Sequence, residues 1–172
     1  MDAPDLTTSR LRLVPAGEQD IDALHAMLTD ADVRRYLCDD KLVPRSFAED
    51  LARNSRDTFE SHGMGLWLIQ ESANATPIGF CLLRPPDEHP MPELLYALLP
   101  GAWGRGLAIE AARAVIDYAF TTLDCVEILA EMDEPNSASA RVAEKLGMTF
   151  IGTRPGPAHT LLQYTVRRKA TN

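Results

Sequence analysis

The chain has 172 residues, of which 45% are hydrophobic and 24% are charged, a composition typical of a single globular domain. Its formal net charge of −8 argues against a nucleic-acid partner, which binds a basic face, but is compatible with a cationic substrate such as an amine. The sequence has no bilayer-length apolar run and no secretory h-region, which predicts a cytoplasmic protein without membrane contact. The cysteines have no metal-ligand spacing, which predicts reduced thiols and no metal site.

The first third of the chain predicts one strand and two helices. Residues 8–15 alternate polar and apolar and stop at a proline, which predicts a strand. Apolar residues three and four apart predict an amphipathic helix from Glu18 to about Thr29. Ser46 and Glu49 have the spacing of a capping box, which predicts that a second helix begins there and ends near Gly63.

Short strands and one long loop follow the second helix. Residues 66–69 and 77–83 are apolar strands, and the polar residues 72–76 between them predict a hairpin turn. A proline-rich loop at 84–90 then leads to a further strand at Leu94–Leu99.

The second half of the chain continues the alternation of helices and strands. It contains a helix at 107–120, a strand at 126–132, a helix at 136–146 capped by Asn136 and stopped by Gly147, strands at 149–153 and 160–167, and an expected frayed tail at 168–172. The complete order predicts one α/β domain over residues 1–172, with a mixed sheet of about seven strands and about four helices around it.

A glycine-containing segment at 103–111 joins a strand to a helix. Gly104 and Gly106 allow a tight turn, and the free N–H groups at the helix start favour phosphate oxygens. Arg105 adds a cation. The segment lacks the Gly-Lys-Ser/Thr ending of a P-loop, and Ile109 stands where a dinucleotide fingerprint has its third glycine. We interpret it as a pyrophosphate cradle, and a plain strand-to-helix turn is the alternative.

Two stretches in this order resemble the GNAT superfamily of N-acetyltransferases. Trp103-Gly-Arg-Gly-Leu-Ala108 is similar to its acetyl-CoA loop, Gln/Arg-x-x-Gly-x-Gly/Ala, with Trp103 in place of the leading residue. Residues 136–148 resemble its Asn-x-x-Ala/Ser…Glu-Lys-Leu-Gly-Phe helix, with Met148 replacing the phenylalanine. Together the motifs look most like the ribosomal-protein N-terminal (Rim-type) branch, and the resemblance covers essentially the whole chain.

The resemblance implies that acetyl-CoA is bound where the strands at 94–99 and 126–132, parallel neighbours, splay apart. Backbone groups of the first strand would bond the pantetheine arm as an added strand, and an N–H near Leu98 would polarise the thioester carbonyl. Asn136 would also bond the arm, while a plain helix cap is its alternative role. The implied cofactor residues are Tyr96, Ala97, Leu98, Trp103, Gly104, Arg105, Gly106, Leu107, Ala108, Ile109, Asn136 and Ser139.

The resemblance also suggests the catalytic groups. The tyrosine that the family often uses to protonate the leaving thiolate corresponds to Ala143 here, so that mechanism is lost. Ser139 lies on the same helical face as Asn136 and is the nearest substitute, although it could be only a small spacer. Glu131 and Glu93 are the two candidate bases for the attacking amine. Deprotonation through water without a dedicated base is the alternative.

The activity implied is acetyl transfer from acetyl-CoA to a primary amine, by direct attack in a ternary complex. The acceptor is a protein N-terminus or a small-molecule amine, and the protein is a monomer or a homodimer. A catalytically silent acyl-CoA-binding module is the rival interpretation, and the alanine at position 143 is its best support.

Overall fold

A computed structural model describes residues 3–87 and 89–169. They form an eight-stranded mixed sheet in the order β1-β2-β3-β4-β5-β6-β8-β7. The strands are β1 (Leu6–Thr7), β2 (Leu11–Pro15), β3 (Leu66–Glu71), β4 (Asn74–Arg84), β5 (Glu93–Leu98), β6 (Glu127–Asp133), β7 (Thr149–Pro155) and β8 (Thr160–Arg167). The helices are α1 (Ile21–Thr29), α2 (Ala31–Leu37), α3 (Arg45–His62), α4 (Leu107–Thr121) and α5 (Ser137–Lys145), with 3₁₀ turns at Glu18–Asp20 and Pro100–Ala102.

The predicted α/β fold class is confirmed, with two elements more than predicted. The two-residue strand β1 is too short to show a pattern in the sequence. The helix α2 was missed because its seven residues span barely two turns. Its start is nevertheless encoded locally, since the Asp30 carboxylate accepts hydrogen bonds from the backbone N–H groups of Asp32 and Val33, at 3.0 and 3.1 Å.

Two local predictions were wrong. The helix α3 begins at Arg45 behind an extended Pro44, so Ser46 lies inside the helix and forms no capping box with Glu49, which instead pairs with Arg45. The extended proline brings the chain straight into the helix without a side-chain cap. The hairpin turn is shorter than the predicted 72–76, because Glu71 already pairs with Asn74 across a two-residue loop.

The sheet packs helices on both of its faces. On one face, which we call the α4–α5 face, alternate residues of β5 and β6 such as Leu94 and Ile128 pack with α4 and α5. On the other, the α1–α3 face, Leu66 and Phe80 pack with Leu24 and other residues of α1 and α3. Side chains alternate between the faces of a strand, so each residue of β5 and β6 can be assigned to a face.

The parallel strands β5 and β6 are paired only where they begin. Their register contains one pair, Glu93 with Leu129, beside a hydrogen bond of 2.9 Å from the Leu129 N–H to the Pro92 carbonyl. Further along, β5 stays paired with β4 and β6 with β8, so the two strands diverge. This confirms the predicted splayed pair, and we call the opening beyond Glu93 and Leu129 the gap.

The described chain stays hydrogen-bonded just beyond β8. Of the predicted frayed tail, residues 170–172 lie outside the described residues, while the Arg168 N–H donates to the Val126 carbonyl at 3.0 Å. Across residues 3–87 and 89–169, no helix is both long and apolar enough to cross a bilayer. The same ranges contain no cluster of ligating side chains suited to a metal ion. Their cysteines, Cys38, Cys81 and Cys125, are free.

Candidate acetyl-CoA and acceptor site

The turn before α4 contains two glycines in the left-handed backbone conformation. Gly104 has φ +72° and Gly106, at the N-terminal end of α4, has φ +75°. Both values lie in the left-handed region, where other residues are strained. The sequence therefore contains glycine where the fold requires this conformation, and we call residues 103–106 the glycine loop.

The backbone amides that follow this turn are free to bind a ligand. Within residues 3–87 and 89–169, none of the N–H groups from Gly104 to Ile109 donates a hydrogen bond to the protein. The first bonded amide is that of Glu110, which donates to the Gly106 carbonyl at 3.1 Å. Free amides at the positive end of a 15-residue helix favour anionic oxygens. The geometry thus fits a diphosphate.

Two arginines lie at the glycine loop, Arg105 within it and Arg10 beside it, and both are held by carboxylates. Arg105, the predicted cation, makes a two-pronged ion pair with Glu71 of β3 at 2.7 and 2.9 Å. Arg10 donates to the Arg105 carbonyl at 3.0 Å and pairs with Glu110 at 2.6 Å. Arg10 was not foreseen, because it is 95 residues away in the chain and no local pattern links the two. These contacts fix the loop to the end of β3 and to the turn before β2.

Trp103 lies against the end of β5. Its indole N–H donates to the Leu98 carbonyl at 2.7 Å, while half of the side chain stays exposed. The Leu99 N–H donates to Ile78 of β4 at 2.8 Å. Because backbone groups alternate in direction along a strand, the N–H and the carbonyl of Leu98 face the gap. The tryptophan therefore covers the carbonyl and leaves the neighbouring N–H for a ligand.

A tyrosine joins β5 to α5, the helix that follows β6. The Tyr96 hydroxyl, from β5, donates to the Ser139 carbonyl of α5 at 2.9 Å, and burial raises the pKa of this hydroxyl. Asn136 caps α5 as predicted, accepting from the Ser139 N–H at 3.2 Å. The Ser139 hydroxyl itself has no hydrogen-bond partner among the described residues. Sequence reasoning assigned only the backbone of Tyr96, so its side-chain contact was missed.

The remaining predicted cofactor residues are buried to different extents. Leu107 is a core residue of the α4–α5 face, and Ala108 and Ile109 pack against that core, so only their backbone groups are suited to a ligand. Ala97 packs against the core of the α1–α3 face. The structure thus places the predicted cofactor residues around the glycine loop and along the two walls of the gap.

Glu131, the first candidate base, has several partners on the α1–α3 face. It accepts two hydrogen bonds of 2.7 Å from Arg154 and one of 2.8 Å from Gln163, and His89 Nε2 lies 3.3 Å away. Burial alone would raise the pKa of Glu131, but the bonds from Arg154 and Gln163 bring it below its usual value. A carboxylate so strongly held is a weak proton acceptor.

Glu93, the second candidate, lies on the same face at the closed end of the gap. It is 7% exposed and paired with Arg84. Burial raises the pKa of Glu93, opposed by the charge of Arg84 and aided by that of Glu131. The arginine partners of both glutamates come from other strands, and sequence reasoning missed them because each pair depends on sheet register.

Comparison with known proteins agrees with the fold. Residues 10–149 match the family model described as acetyltransferase (GNAT) domain, and the chain belongs to this family. An uncharacterized protein of Bacillus subtilis, YkkB, is 33% identical over 153 residues, covering 86% of this chain and 87% of the relative. The chain is therefore an acetyl-CoA-dependent acyltransferase by family.

Solved structures of acetyltransferases have the same fold. An acetyltransferase from Agrobacterium tumefaciens is 26% identical and superposes with a TM-score of 0.85, covering 98% of this chain and 96% of that one. RimL, a ribosomal L7/L12 alpha-N-protein acetyltransferase solved with coenzyme A, is 16% identical with a TM-score of 0.80, covering 95% and 98%. The predicted likeness to the Rim-type branch is thus confirmed at the level of the fold.

Proposed function

We propose that the protein transfers an acetyl group from acetyl-CoA to a primary amine by direct attack within a ternary complex. The observation that supports this most is the continuity between the free amides of Gly104–Ile109 and the gap between β5 and β6. The amides suit a diphosphate, and the gap suits a peptide-like arm. Acetyl-CoA contains both groups in one extended molecule. RimL, which has the same fold, has been solved with coenzyme A.

In this arrangement the protein contributes mainly fixed backbone dipoles. The glycine-loop amides hold the diphosphate, and the N–H groups of β5 that face the gap bind the pantetheine arm. The Leu98 N–H polarises the thioester carbonyl, which stabilises the negative charge that develops there during attack. The Ser139 hydroxyl, which has no partner among the described residues, hydrogen-bonds the departing sulfur.

The acceptor amine approaches from the α1–α3 face. The carboxylates of Glu93 and Glu131 lie on this face, and the net charge of −8 attracts a cation. The acceptor class is a protein N-terminus or a small-molecule amine.

A titration with acetyl-CoA followed by a turnover assay tests the proposal. We expect saturable binding by calorimetry and, at one hundred times Kd, a stabilisation of about 2.7 kcal/mol against unfolding. We then expect thiol release when amines and short peptides with free N-termini are added. Absence of binding would refute the site, and absence of thiol release across the whole panel would refute the activity.

A catalytically silent acyl-CoA-binding module is the second candidate. Two observations favour it: Ala143 replaces the family tyrosine, and Glu131 is held in an ion pair. This module would bind acetyl-CoA with the same stabilisation but release no thiol with any amine. The same assay therefore separates the two candidates.

A further inference from the structure

One buried carboxylate near the gap differs from the two glutamates described above. Asp133, the last residue of β6, is 4% exposed, and its Oδ2 atom has no hydrogen-bond partner among the described residues. Glu93 and Glu131 each accept from an arginine. Burying a carboxylate without a partner is costly, and such groups are concentrated at functional sites.

The position of Asp133 in the sheet places it beside the open part of the gap. Glu93 pairs with Leu129, so four residues further along both strands Asp133 is level with Ala97, where β5 and β6 have already separated. Ala130 and Met132 belong to the core of the α4–α5 face. Because side chains alternate, Asp133 lies on the α1–α3 face, from which we proposed that the acceptor approaches.

Two charged or titratable groups from other elements act on Asp133. Asp39, in the α2–α3 connection, repels its charge, and His159, in the β7–β8 turn, attracts it. The His159 ring lies 6.5 Å from that of Tyr36, which brings α2 and this turn together. Burial and Asp39 together outweigh His159 and raise the pKa of Asp133. A free carboxylate with a raised pKa accepts a proton more readily than a paired one.

On the basis of the acetyl transfer proposed above, we propose that Asp133 binds the ammonium group of the acceptor and removes its first proton. The proton passes from nitrogen to the Asp133 carboxylate, and the neutral amine attacks the thioester carbon. The C–N bond forms and the C–S bond breaks. The second proton of the nitrogen goes to the departing thiolate, and the proton on Asp133 is released to water.

Asp133 is better suited to this task than either glutamate. Glu131 is occupied by Arg154 and Gln163, and its protonation would break those bonds. Glu93 lies at the closed end of the gap, where β5 and β6 are still paired. Asp133 has no such bond at Oδ2 to lose, and it lies level with the residues assigned to the thioester.

The test measures kcat/KM against pH for an accepted amine, together with acetyl-CoA affinity. Asp133→Asn, which keeps the shape, should lower kcat/KM about 10²- to 10⁴-fold and remove the fall in activity on the acid side. The Kd for acetyl-CoA should change less than about threefold, since the amine and not the cofactor contacts this group. Asp133→Ser provides a second variant of different size with the same expected loss.

Asp39→Asn tests the same assignment without altering Asp133. Removing the repelling charge should lower the pKa of Asp133 and move the acid limb of kcat/KM to lower pH. Asp124→Asn is the matched control, because Asp39 and Asp124 have similar positive φ values of 51° and 54°. Asp124 lies in the connection between α4 and β6, before the closed end of the gap. The control variant should leave the profile unchanged.

The outcomes separate this inference from the proposed function. An active enzyme whose Asp133→Asn variant keeps kcat/KM within about threefold overturns the inference alone. So does an acid limb that disappears in Glu131→Gln but persists in Asp133→Asn. A wild-type protein that acetylates no amine overturns both. If both Asp133 variants fail to fold, an unmoved acid limb in Asp39→Asn overturns the inference, and a shifted limb supports it.

Discussion

The glycine loop and the α1–α3 face of the gap, which we call the acceptor side, offer different chemical groups to their ligands. The loop offers main-chain amides that have no partner in the described protein, fixed by two glycines with positive φ. The acceptor side offers carboxylates, of which Glu131 and Glu93 are held by arginines and Asp133 is not. Backbone amides suit a ligand common to a whole family, whereas side chains can change to suit one acceptor.

The largest expected effect comes from a substitution that disrupts the glycine loop. Gly106→Glu should weaken acetyl-CoA binding more than about 100-fold. The new carboxylate would face the diphosphate of the cofactor, and such a contact between like charges costs several kcal/mol. The left-handed φ of +75° adds about 1–2 kcal/mol of strain for a residue with a side chain. Isothermal titration with acetyl-CoA measures the effect.

Gly101→Glu is the matched control for charge. It lies in the same connection and is exposed, and a Cβ atom there would meet nothing within 4 Å. Its affinity should stay close to that of the wild type. If the two variants lose affinity equally, net charge near the helix and not the glycine loop would explain the binding.

A second change tests how closely β4 approaches β5, the strand that forms one side of the gap. A Cβ atom on Gly79 would lie 2.2 Å from the Ala97 carbonyl oxygen, so Gly79→Ala must push the strands apart. We expect a loss of about 3 kcal/mol in the free energy of unfolding, measured in urea. Gly101→Ala, with free space around it, should change stability by less than about 0.5 kcal/mol. Equal stability of the two variants would refute the close approach.

The glutamates of the acceptor side should respond to pH in opposite directions. Glu131→Gln should cost about 2 kcal/mol near neutral pH, because it removes the buried carboxylate that accepts two charge-assisted hydrogen bonds from Arg154. The pKa of Glu131 is lowered from 4.5, so its contribution is present above that pH and is lost as pH falls through the lowered value. Urea unfolding at neutral and acid pH measures this.

Glu93→Gln is the contrasting variant. The pKa of Glu93 is raised from 4.5, so ionising it in the folded protein reduces stability as pH rises past that value. At neutral pH, Glu93→Gln should therefore lower the free energy of unfolding by less than Glu131→Gln does. A larger loss in Glu93→Gln would reverse the roles assigned to the two ion pairs.

The smallest expected effect concerns the Tyr96 hydroxyl, which joins β5 to α5. Tyr96→Phe should lower the free energy of unfolding by about 1 kcal/mol, the value of one hydrogen bond. Tyr118→Phe removes a similar bond of 2.9 Å to the Gly63 carbonyl. We expect similar losses of stability, but weaker acetyl-CoA binding only in Tyr96→Phe, measured by titration. Equal affinities would mean that the Tyr96 bond does not position α5 for the cofactor.

The parts of the site that depend on local sequence could be predicted. The glycine loop, the Asn136 cap and the strands on both sides of the gap each follow from residues within a few positions of one another. Turn glycines, caps and periodicity act over such distances, so a single sequence contains their signals. The helix α2 was the exception, since only Asp30 marked its start.

The parts that depend on tertiary pairing could not be predicted. The ion pair of Arg10 and Glu110 joins residues 100 apart, and that of Arg154 and Glu131 joins residues 23 apart on strands that are not neighbours. Whether Asp133 is buried without a partner is decided by which residues β8 and the α2–α3 connection bring near it. Composition and periodicity contain no information on such matches.

The hydrogen bond from Trp103 to the Leu98 carbonyl also bears on self-association. A strand with one unpaired side is a template on which another chain can add a strand. Because β5 diverges from β6, β5 has such an unpaired side in the middle of the sheet. The indole occupies a carbonyl that an incoming strand would need. A strand from a second copy would therefore find the Leu98 carbonyl already bonded at the place where the sheet is open.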